Sequence, residues 1–190
     1  MVLDVIKYGH PVLRERGARI KAITPELSRL IADMFETMYA AKGIGLAAQQ
    51  IGVALQLTVI DVRGVTERPS TLELNGQPAD VDAFMPLVLI NPKIMPLGEK
   101  VAGPEGCLSF PEIYADITRP EQVDVKALNA QGEPITFRAG GLLSRAVQHE
   151  VDHLNGVLFI DRMTAEDKAE LRGDIDDLHT ATKKALARKR

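Results

Sequence analysis

Two histidines with the spacing of a helical metal site stand late in the sequence. The stretch QHEVDHLNG, residues 148–156, places His149 and His153 four residues apart in a chain with only four histidines. On an α-helix this spacing puts both imidazoles on one face, where their ring nitrogens can bind the same ion. Glu150 projects about 100° around the helix, so it can reach a water on that ion without binding the ion. The pattern predicts a metal site with a glutamate acid/base, although short patterns of this kind also occur by chance on solvated helices.

A catalytic site of this type needs a third protein ligand, and the sequence offers two sources for it. Related zinc peptidases can place a histidine six residues after the second one, but Phe159 stands there. Glu166 or Glu170 could supply a carboxylate from a following helix. The only cysteine, Cys107, lies upstream in GPEGCLSFP, where glycines and prolines indicate a constrained backbone. We favour Cys107, because one thiolate and two imidazoles leave a fourth tetrahedral position for water, as in catalytic sites.

The composition restricts the classes of protein to which the chain can belong. With 190 residues and 45% hydrophobic content, it can bury a substantial core and is most simply one domain. A net charge of −3 and a pI near 5.8 give no overall case for a DNA or membrane partner. The N-terminus lacks the apolar run of a signal peptide, and no segment approaches the ~20 apolar residues of a membrane span. We therefore expect a soluble, cytoplasmic protein.

Hydrophobic periodicity predicts the elements that must position the histidines. Helical spacing begins after the N-cap candidate Thr24 and ends near Gly43, and a later helix carries the histidines on a stripe with apolar residues. That shared stripe turns the histidines towards the protein interior. Runs of β-branched residues predict strands at residues 55–62, 86–92, 121–128 and 134–139. Because these elements do not alternate as βαβ units, we expect an α+β fold with mainly antiparallel or mixed sheets around the central histidine helix.

Two further segments complete the expected domain organisation. Residues 63–84 are rich in turn formers and acids, and we expect an exposed surface insertion without a catalytic role. A final helix is expected from Thr164, and it finishes in the basic sequence KKALARKR. We therefore divide the chain into one catalytic domain, residues 1–163, and a C-terminal helix with a basic tail, residues 164–190.

Three separated motifs follow one another along the chain. They are GIGLAAQQIG at residues 43–52, EGCLS at 105–109 and QHEVDHLNG at 148–156, and GHPVLR at 9–14 adds a looser likeness. Together these motifs resemble those of the peptide deformylases. The resemblance implies a metal-dependent hydrolase that removes the N-terminal formyl group from the N-formylmethionine of newly synthesised polypeptides. It also implies the α+β arrangement of that family, with a central helix.

The resemblance implies a role for each residue of the site. The ligands of one divalent metal are Cys107, His149 and His153, and the metal is Fe2+ in the cell, with Zn2+, Ni2+ or Co2+ as alternatives in purified protein. Glu150 is the general acid/base, and the Gln50 side chain and the Leu108 backbone N–H stabilise the oxyanion. The chemistry of these groups agrees, since a carboxylate can take a proton from water and return it to a leaving amine. Without Gly43 and Gly45 nearby, we would interpret Gln50 as an ordinary surface residue.

Other residues are expected around the substrate or behind the ligands. Those assigned to substrate binding are Gly43, Ile44, Gly45, Gly103, Leu142, Arg145 and Ala146. The glycines at 43 and 45 let another backbone approach, as at a β-edge binding surface, and by resemblance the last three line a pocket for the methionine side chain. Glu105 paired with Arg119 is expected to orient a ligand histidine, although a plain surface ion pair would fit the same residues. Gln49 and Tyr114 depart from the family, which commonly has proline and arginine there.

Two competing functions share part of this evidence. An endopeptidase would use the same helical motif with a downstream carboxylate, and a non-catalytic scaffold could keep the metal and dock on the ribosome. The upstream cysteine and the presence of both Glu150 and Gln50 favour the deformylase. KKALARKR carries five positive charges in eight residues and either engages ribosomal RNA phosphates or frays in solvent. N-formylmethionyl nascent peptides are therefore the expected partners, with the ribosome as a second one.

Overall fold

The computed structural model of the chain describes all 190 residues. The helices are α1 (Pro25–Ala40), α2 (Val81–Phe84), α3 (Gly141–Leu154) and α4 (Ala165–Arg188). The strands are β1 (Gly45–Ala47), β2 (Leu57–Ile60), β3 (Ser70–Leu74), β4 (Gln77–Pro78), β5 (Leu87–Cys107), β6 (Phe110–Leu128) and β7 (Pro134–Gly140). Short 3-10 helices lie at Pro11–Arg14, Ala48–Ile51 and Phe159–Arg162. None of the helices has both the length and the apolar character needed to span a membrane.

The seven strands form one sheet in the order β1-β2-β5-β6-β7-β3-β4. Every neighbouring pair is antiparallel. The long β5–β6 ribbon has register shifts along its length, including one between Gly106 and Cys107, and such bulges bend a ribbon and redirect its side chains. Strand β1 lies at an edge of the sheet. The expected α+β fold with an antiparallel sheet is therefore confirmed.

Helix α3 lies at the centre of the molecule and is buried on nearly all sides. Eleven of its 14 residues are buried, and these include Gln148, His149, Glu150 and His153. Its apolar side chains pack with residues of β2, β5, β6 and β7 in one core cluster. A helix that is enclosed in this way cannot turn its polar face to water, so each buried polar side chain needs an internal partner.

Two further core clusters hold the elements around α3. Helix α1 begins as predicted, because the Thr24 side chain accepts a hydrogen bond from the Leu27 N–H at 3.1 Å, and its apolar stripe packs against β1, β2 and β5. The third cluster joins two of the 3-10 helices, β6 and α4 around Phe110 and Phe159. Only Ile175 of α4 is buried. Leu171 and Leu178 are partly buried beside it, so the C-terminal helix rests on the molecule along one face.

Residues 63–84 are more than the exposed insertion that the sequence predicted. They contain β3, β4 and α2, and β3 pairs with β7. The residues just before and at the start of β3 bind the first turn of α3, since Pro69 O accepts the Leu142 N–H at 3.1 Å and Ser70 Oγ accepts the Leu143 N–H at 3.0 Å. These are N–H groups that a helix cannot satisfy internally. The segment therefore stabilises the helix that carries the histidines.

Candidate metal centre

Cys107 is placed by the tip of the β5–β6 ribbon. The two strands are joined by residues 108–109, with Cys107 paired with Phe110. The N-terminal segment fixes this tip, because the Tyr8 N–H donates to the carbonyl oxygen of Ser109 at 3.0 Å. The tip rests against α3, where the Cys107 sulfur lies 3.3 Å from Nε2 of His153.

The structure brings the three predicted ligands together. One donor atom from each of Cys107, His149 and His153 lies within 4.8 Å of the other two. Both imidazoles are buried, and the cysteine is partly buried. The alternative ligands Glu166 and Glu170 lie on the exposed surface of α4 and do not join this group.

The environment of these donors fits a divalent transition-metal ion. Burial lowers the pKa of His153 well below its ordinary value, which favours the neutral ring, in which one nitrogen carries a proton and the other keeps a lone pair for a metal. Its Nδ1 is buried without a hydrogen-bond partner. Burial also lowers the pKa of His149, but Cys107 and Glu105 outweigh it and raise that pKa well above the ordinary value. Surroundings that attract a proton to His149 would equally attract a metal cation.

Glu105 lies behind His149 and fixes its ring. Its Oε1 is 2.9 Å from Nδ1 of His149, and Arg119 binds its two carboxylate oxygens at 2.6 and 2.9 Å. Burial raises the pKa of Glu105, but hydrogen bonds from His149 and Arg119 outweigh it and hold the pKa well below its ordinary value. Because Glu105 and Arg119 are 7% and 3% exposed, a plain surface ion pair is excluded. The ionised carboxylate accepts from Nδ1–H and leaves Nε2 of His149 for the metal.

Replacement of Glu105 by glutamine should weaken metal binding by about 10- to 100-fold, which is the usual effect of removing a carboxylate behind a ligand histidine. The affinity for Zn2+ or Co2+ can be measured by competition with a chromogenic chelator. Asp124→Asn provides a matched control, because that carboxylate binds Arg138 and does not contact the ligands. An affinity within twofold of the wild-type value in a folded Glu105→Gln variant would contradict this role.

Glu150 is held between α3 and the edge strand β1. It is 4% exposed, and its Oε2 lies 3.4 Å from the Thr58 hydroxyl, which can donate to it. A Cβ atom at Gly45 would come within 2.5 Å of Glu150 Oε1, so only glycine leaves room for the carboxylate. Burial raises the pKa of Glu150 to about 7, against the opposing effect of His149. The group can therefore exchange a proton near neutral pH.

Gln50 is buried beside Cys107, with 1% of its surface exposed, which excludes an ordinary surface glutamine. Its Oε1 accepts the Ala47 N–H at 2.9 Å. This bond orients the amide, so that Nε2 lies 3.5 Å from the Cys107 sulfur and 3.2 Å from the Ser109 hydroxyl. The backbone N–H of Leu108, the residue after Cys107, has no acceptor within the protein. Two hydrogen-bond donors therefore adjoin the cysteine.

The site opens into a cleft of about 670 Å³. Six of the seven residues that the sequence assigned to substrate binding line this cleft: Gly43, Ile44, Gly45, Leu142, Arg145 and Ala146. Gly103 does not line it and lies behind Arg145, where a Cβ atom would meet the guanidinium at 3.0 Å. Sequence reasoning missed Lys7, Lys42 and Arg68, which also line the cleft. No motif marks these cations, since their position depends on long-range packing.

The guanidinium of Arg145 is held by acceptor groups of the protein. It donates to Glu105 Oε2 at 2.8 Å, to the carbonyl oxygen of Ile117 at 2.6 Å and to that of Val101 at 2.8 Å. These bonds connect α3 to the β5–β6 ribbon. The Arg145 side chain therefore forms part of the cleft wall, and its charge is neutralised by the Glu105 carboxylate.

Comparison with known proteins identifies the family. The model of the polypeptide deformylase family matches residues 2–169. A peptide deformylase of Methylacidiphilum infernorum is 46% identical over 178 residues, which are 94% of this chain and 93% of that protein. One from Opitutus terrae is 46% identical over 187 residues, 97% of each chain.

Solved structures agree with the sequence comparisons. A peptide deformylase from Synechococcus elongatus in complex with actinonin has a TM-score of 0.77 and 42% identity, and the match covers 93% of this chain and 85% of that one. Arabidopsis thaliana peptide deformylase 1B has a TM-score of 0.83 and 35% identity, with 97% and 94% covered. The metal-capable donors, the fold and these likenesses lead to one conclusion: the chain belongs to the polypeptide deformylase family.

Proposed function

We propose that this chain hydrolyses the formyl amide of N-formylmethionyl peptides and releases formate and a free N-terminal amine. The observation that carries the proposal is the convergence of Cys107, His149 and His153 with a buried glutamate and two hydrogen-bond donors at one cleft. An upstream cysteine completes the donor set, as expected for a deformylase, whereas the downstream carboxylates of the peptidase alternative lie elsewhere.

The cysteine and the two histidines would hold one divalent ion. When bound, such an ion lowers the pKa of a water ligand and polarises a carbonyl oxygen. Thiolate and imidazole donors suit Fe2+, Zn2+, Co2+ and Ni2+. We propose Fe2+ as the ion in the cell, on the basis of family membership, with the other three as substitutes in purified protein.

The peptide would bind to the open edge of β1 as an added strand. Ile44 O accepts the Asp61 N–H at 2.8 Å, so the backbone groups of the next residue, Gly45, alternate to the opposite, unpaired side. An extended peptide can form backbone hydrogen bonds there. The formyl group would then lie beside Glu150, and the methionine side chain would contact the apolar residues Leu142 and Ala146.

Glu150 and the two donors supply the proton transfers and the charge stabilisation. The Glu150 carboxylate takes a proton from the water that attacks the formyl carbon, and it returns that proton to the amine nitrogen as the C–N bond breaks. Meanwhile the Gln50 Nε2–H and the Leu108 N–H donate to the formyl oxygen as it gains negative charge. A donor of this kind contributes about 3 kcal/mol to transition-state stabilisation. Water and the N-formyl peptide are thereby converted to formate and a peptide with a free N-terminal amine.

Selectivity for the formyl group is the first expected result. An acetyl group adds a methyl beyond the carbonyl, in a site closed by Gly45, Gln50 and Cys107, and overpacking of this kind costs about 1–3 kcal/mol, or roughly tenfold to a hundredfold in rate. Metal-loaded protein should therefore release free amine from formyl-Met-Ala-Ser much faster than from acetyl-Met-Ala-Ser, and it should leave an unstructured casein fragment uncut. Casein cleavage at a comparable rate would restore the peptidase interpretation.

We further propose that the chain acts in the cytoplasm on nascent polypeptides. The basic tail at the end of α4 supports a contact with ribosomal RNA, since phosphates attract clustered lysine and arginine side chains. Helix α4 has only one buried residue, Ile175, and the basic residues Lys183, Lys184, Arg188, Lys189 and Arg190 are exposed, which leaves them accessible to such a partner.

A further inference from the structure

Three cations that line the cleft have no anionic partner in the chain: Lys7, whose ammonium donates to the carbonyl oxygen of Leu108 at 3.2 Å, and Lys42 and Arg68, whose side chains make no hydrogen bond. Lys42 lies just before β1, Arg68 lies just before β3, and both line the cleft. Neighbouring arginines are neutralised, since Arg63 binds Asp61 and Arg145 binds Glu105. Lys42 and Arg68 form no ion pair, although Arg68 is half-buried. Their uncompensated charge makes this part of the cleft attractive to an anion.

Backbone hydrogen bonds anchor the two segments that carry Lys42 and Arg68. The turn that carries Lys42 is closed by the hydrogen bond from the Gly43 N–H to Met38 O at 2.9 Å. Arg68 precedes Pro69, whose carbonyl accepts the Leu142 N–H at the start of α3. Lys42 therefore lies in the turn before the edge strand, and Arg68 adjoins the helix that carries the ligands.

The distance between the metal donors and the two cations determines which residues of a bound peptide can contact Lys42 and Arg68. Leu142, beside Arg68, precedes His149 by seven residues, which corresponds to about 10 Å along a helix. An extended peptide advances about 3.3 Å per residue. On the proposed function, the formyl group lies beside Glu150, which adjoins Gly45, so the following residues run past Gly43 towards Lys42. The second and third residues of the peptide would therefore reach the two cations.

We infer that the cleft favours formyl-methionyl peptides that carry a carboxylate on the second or third residue. This inference rests on the proposed function and specifies its substrate class. Glu112 also lines the cleft, from β6, and its repulsion limits the preference. Ion pairs at partly solvated sites are individually weak, so the expected effect is about fivefold in kcat/KM, expressed mainly in KM.

The experiment compares peptides that differ only in charge. The wild-type enzyme would be given formyl-Met-Glu-Ser, formyl-Met-Ala-Glu and their glutamine counterparts, all as C-terminal amides. A free-acid form of formyl-Met-Ala-Ser beside its amide would separate a terminal carboxylate from a side-chain carboxylate. The glutamate-to-glutamine ratio of kcat/KM should be about five at low ionic strength. It should approach one in the double variant Lys42→Gln/Arg68→Gln, or at high salt.

A control variant tests whether the preference depends on where the positive charge lies. Lys93→Gln removes the same charge from an exposed lysine outside the cleft, and the ratio should stay at the wild-type value. A wild-type ratio of one or below, or a ratio unaffected by the double substitution, would overturn the inference. Turnover of the glutamine peptides tests the proposed function separately: if they are deformylated without a charge preference, only the inference about substrate class fails.

Discussion

Replacement of Glu150 by glutamine should lower the turnover of formyl-Met-Ala-Ser by at least about a hundredfold and leave the metal content unchanged. Glutamine keeps the size of the side chain and can still contact the Thr58 hydroxyl, but it cannot accept a proton from water or return one to the amine. General acid/base groups contribute roughly a hundredfold to ten-thousandfold to rate. The loss should appear in kcat, because the proton is transferred during the chemical step.

The measurement combines metal analysis with steady-state kinetics on the same preparation. Glu166→Gln is a suitable control, since that carboxylate lies on exposed α4 and was one of the two ligands considered for the peptidase alternative. It should retain wild-type activity and metal. If the Glu150 variant lost its metal instead, Glu150 would be a ligand, and its assignment as the acid/base would be wrong.

Replacement of Cys107 by alanine should abolish stable metal binding, and activity should disappear with it. The thiolate is one of only three protein donors, and loss of one leaves two imidazoles that hold a divalent ion weakly. Metal content after dialysis against a weak chelator should fall from one equivalent towards zero. Far-UV circular dichroism should remain unchanged, since the sheet that positions residue 107 does not depend on its side chain.

His10→Ala serves as the control for this variant. His10 is one of the remaining histidines, and its Nδ1 accepts the Val12 N–H at 3.1 Å, away from the three donors. Its substitution should leave metal content and activity at wild-type values. A Cys107→Ala variant that kept a full equivalent of tightly bound metal would show that the donor set is wrong.

The candidate site was predictable to the extent that its contacts are local in sequence. The position of His149 and His153 on one face of a helix follows from their four-residue spacing and helix geometry alone. Cys107 lies more than 40 residues away, and it was identified because it is the only cysteine and because its surroundings resemble a known motif. The hydrogen bond of Glu105 to His149 could be suggested but not established, since it depends on how the ribbon crosses the helix.

The long ribbon shows why strand prediction failed outside the core. The sequence predicted strands at residues 86–92 and 121–128, where apolar residues pack into the core clusters on both sides of the sheet. The structure extends them to β5 and β6, including the segment 93–106. Much of that segment is exposed and contains prolines and glycines, so it lacks the alternation that marks a half-buried strand. Its pairing partner, which no local pattern specifies, determines its conformation.

The departure at Gln49 was visible in the sequence, but its contacts were not. Gln49 is fully buried, and its amide nitrogen donates to Glu15 O at 3.3 Å and Leu154 O at 3.5 Å. The side chain thus joins the N-terminal region to the end of α3, where a proline would have no donor. Its Oε1 has no partner, and nothing in the structure explains that feature.

The dispersed origin of the metal donors has a consequence for the synthesis of the enzyme. The cysteine comes from the ribbon tip, and the last donor, His153, is added when four-fifths of the 190 residues have been made. An incomplete nascent chain can present a thiol but cannot retain the ion. Because a metal that binds only the folded chain contributes its binding energy to folding, loading would secure the finished catalytic unit. A cell short of the metal would then hold fewer mature molecules, and their supply would limit the processing of new proteins.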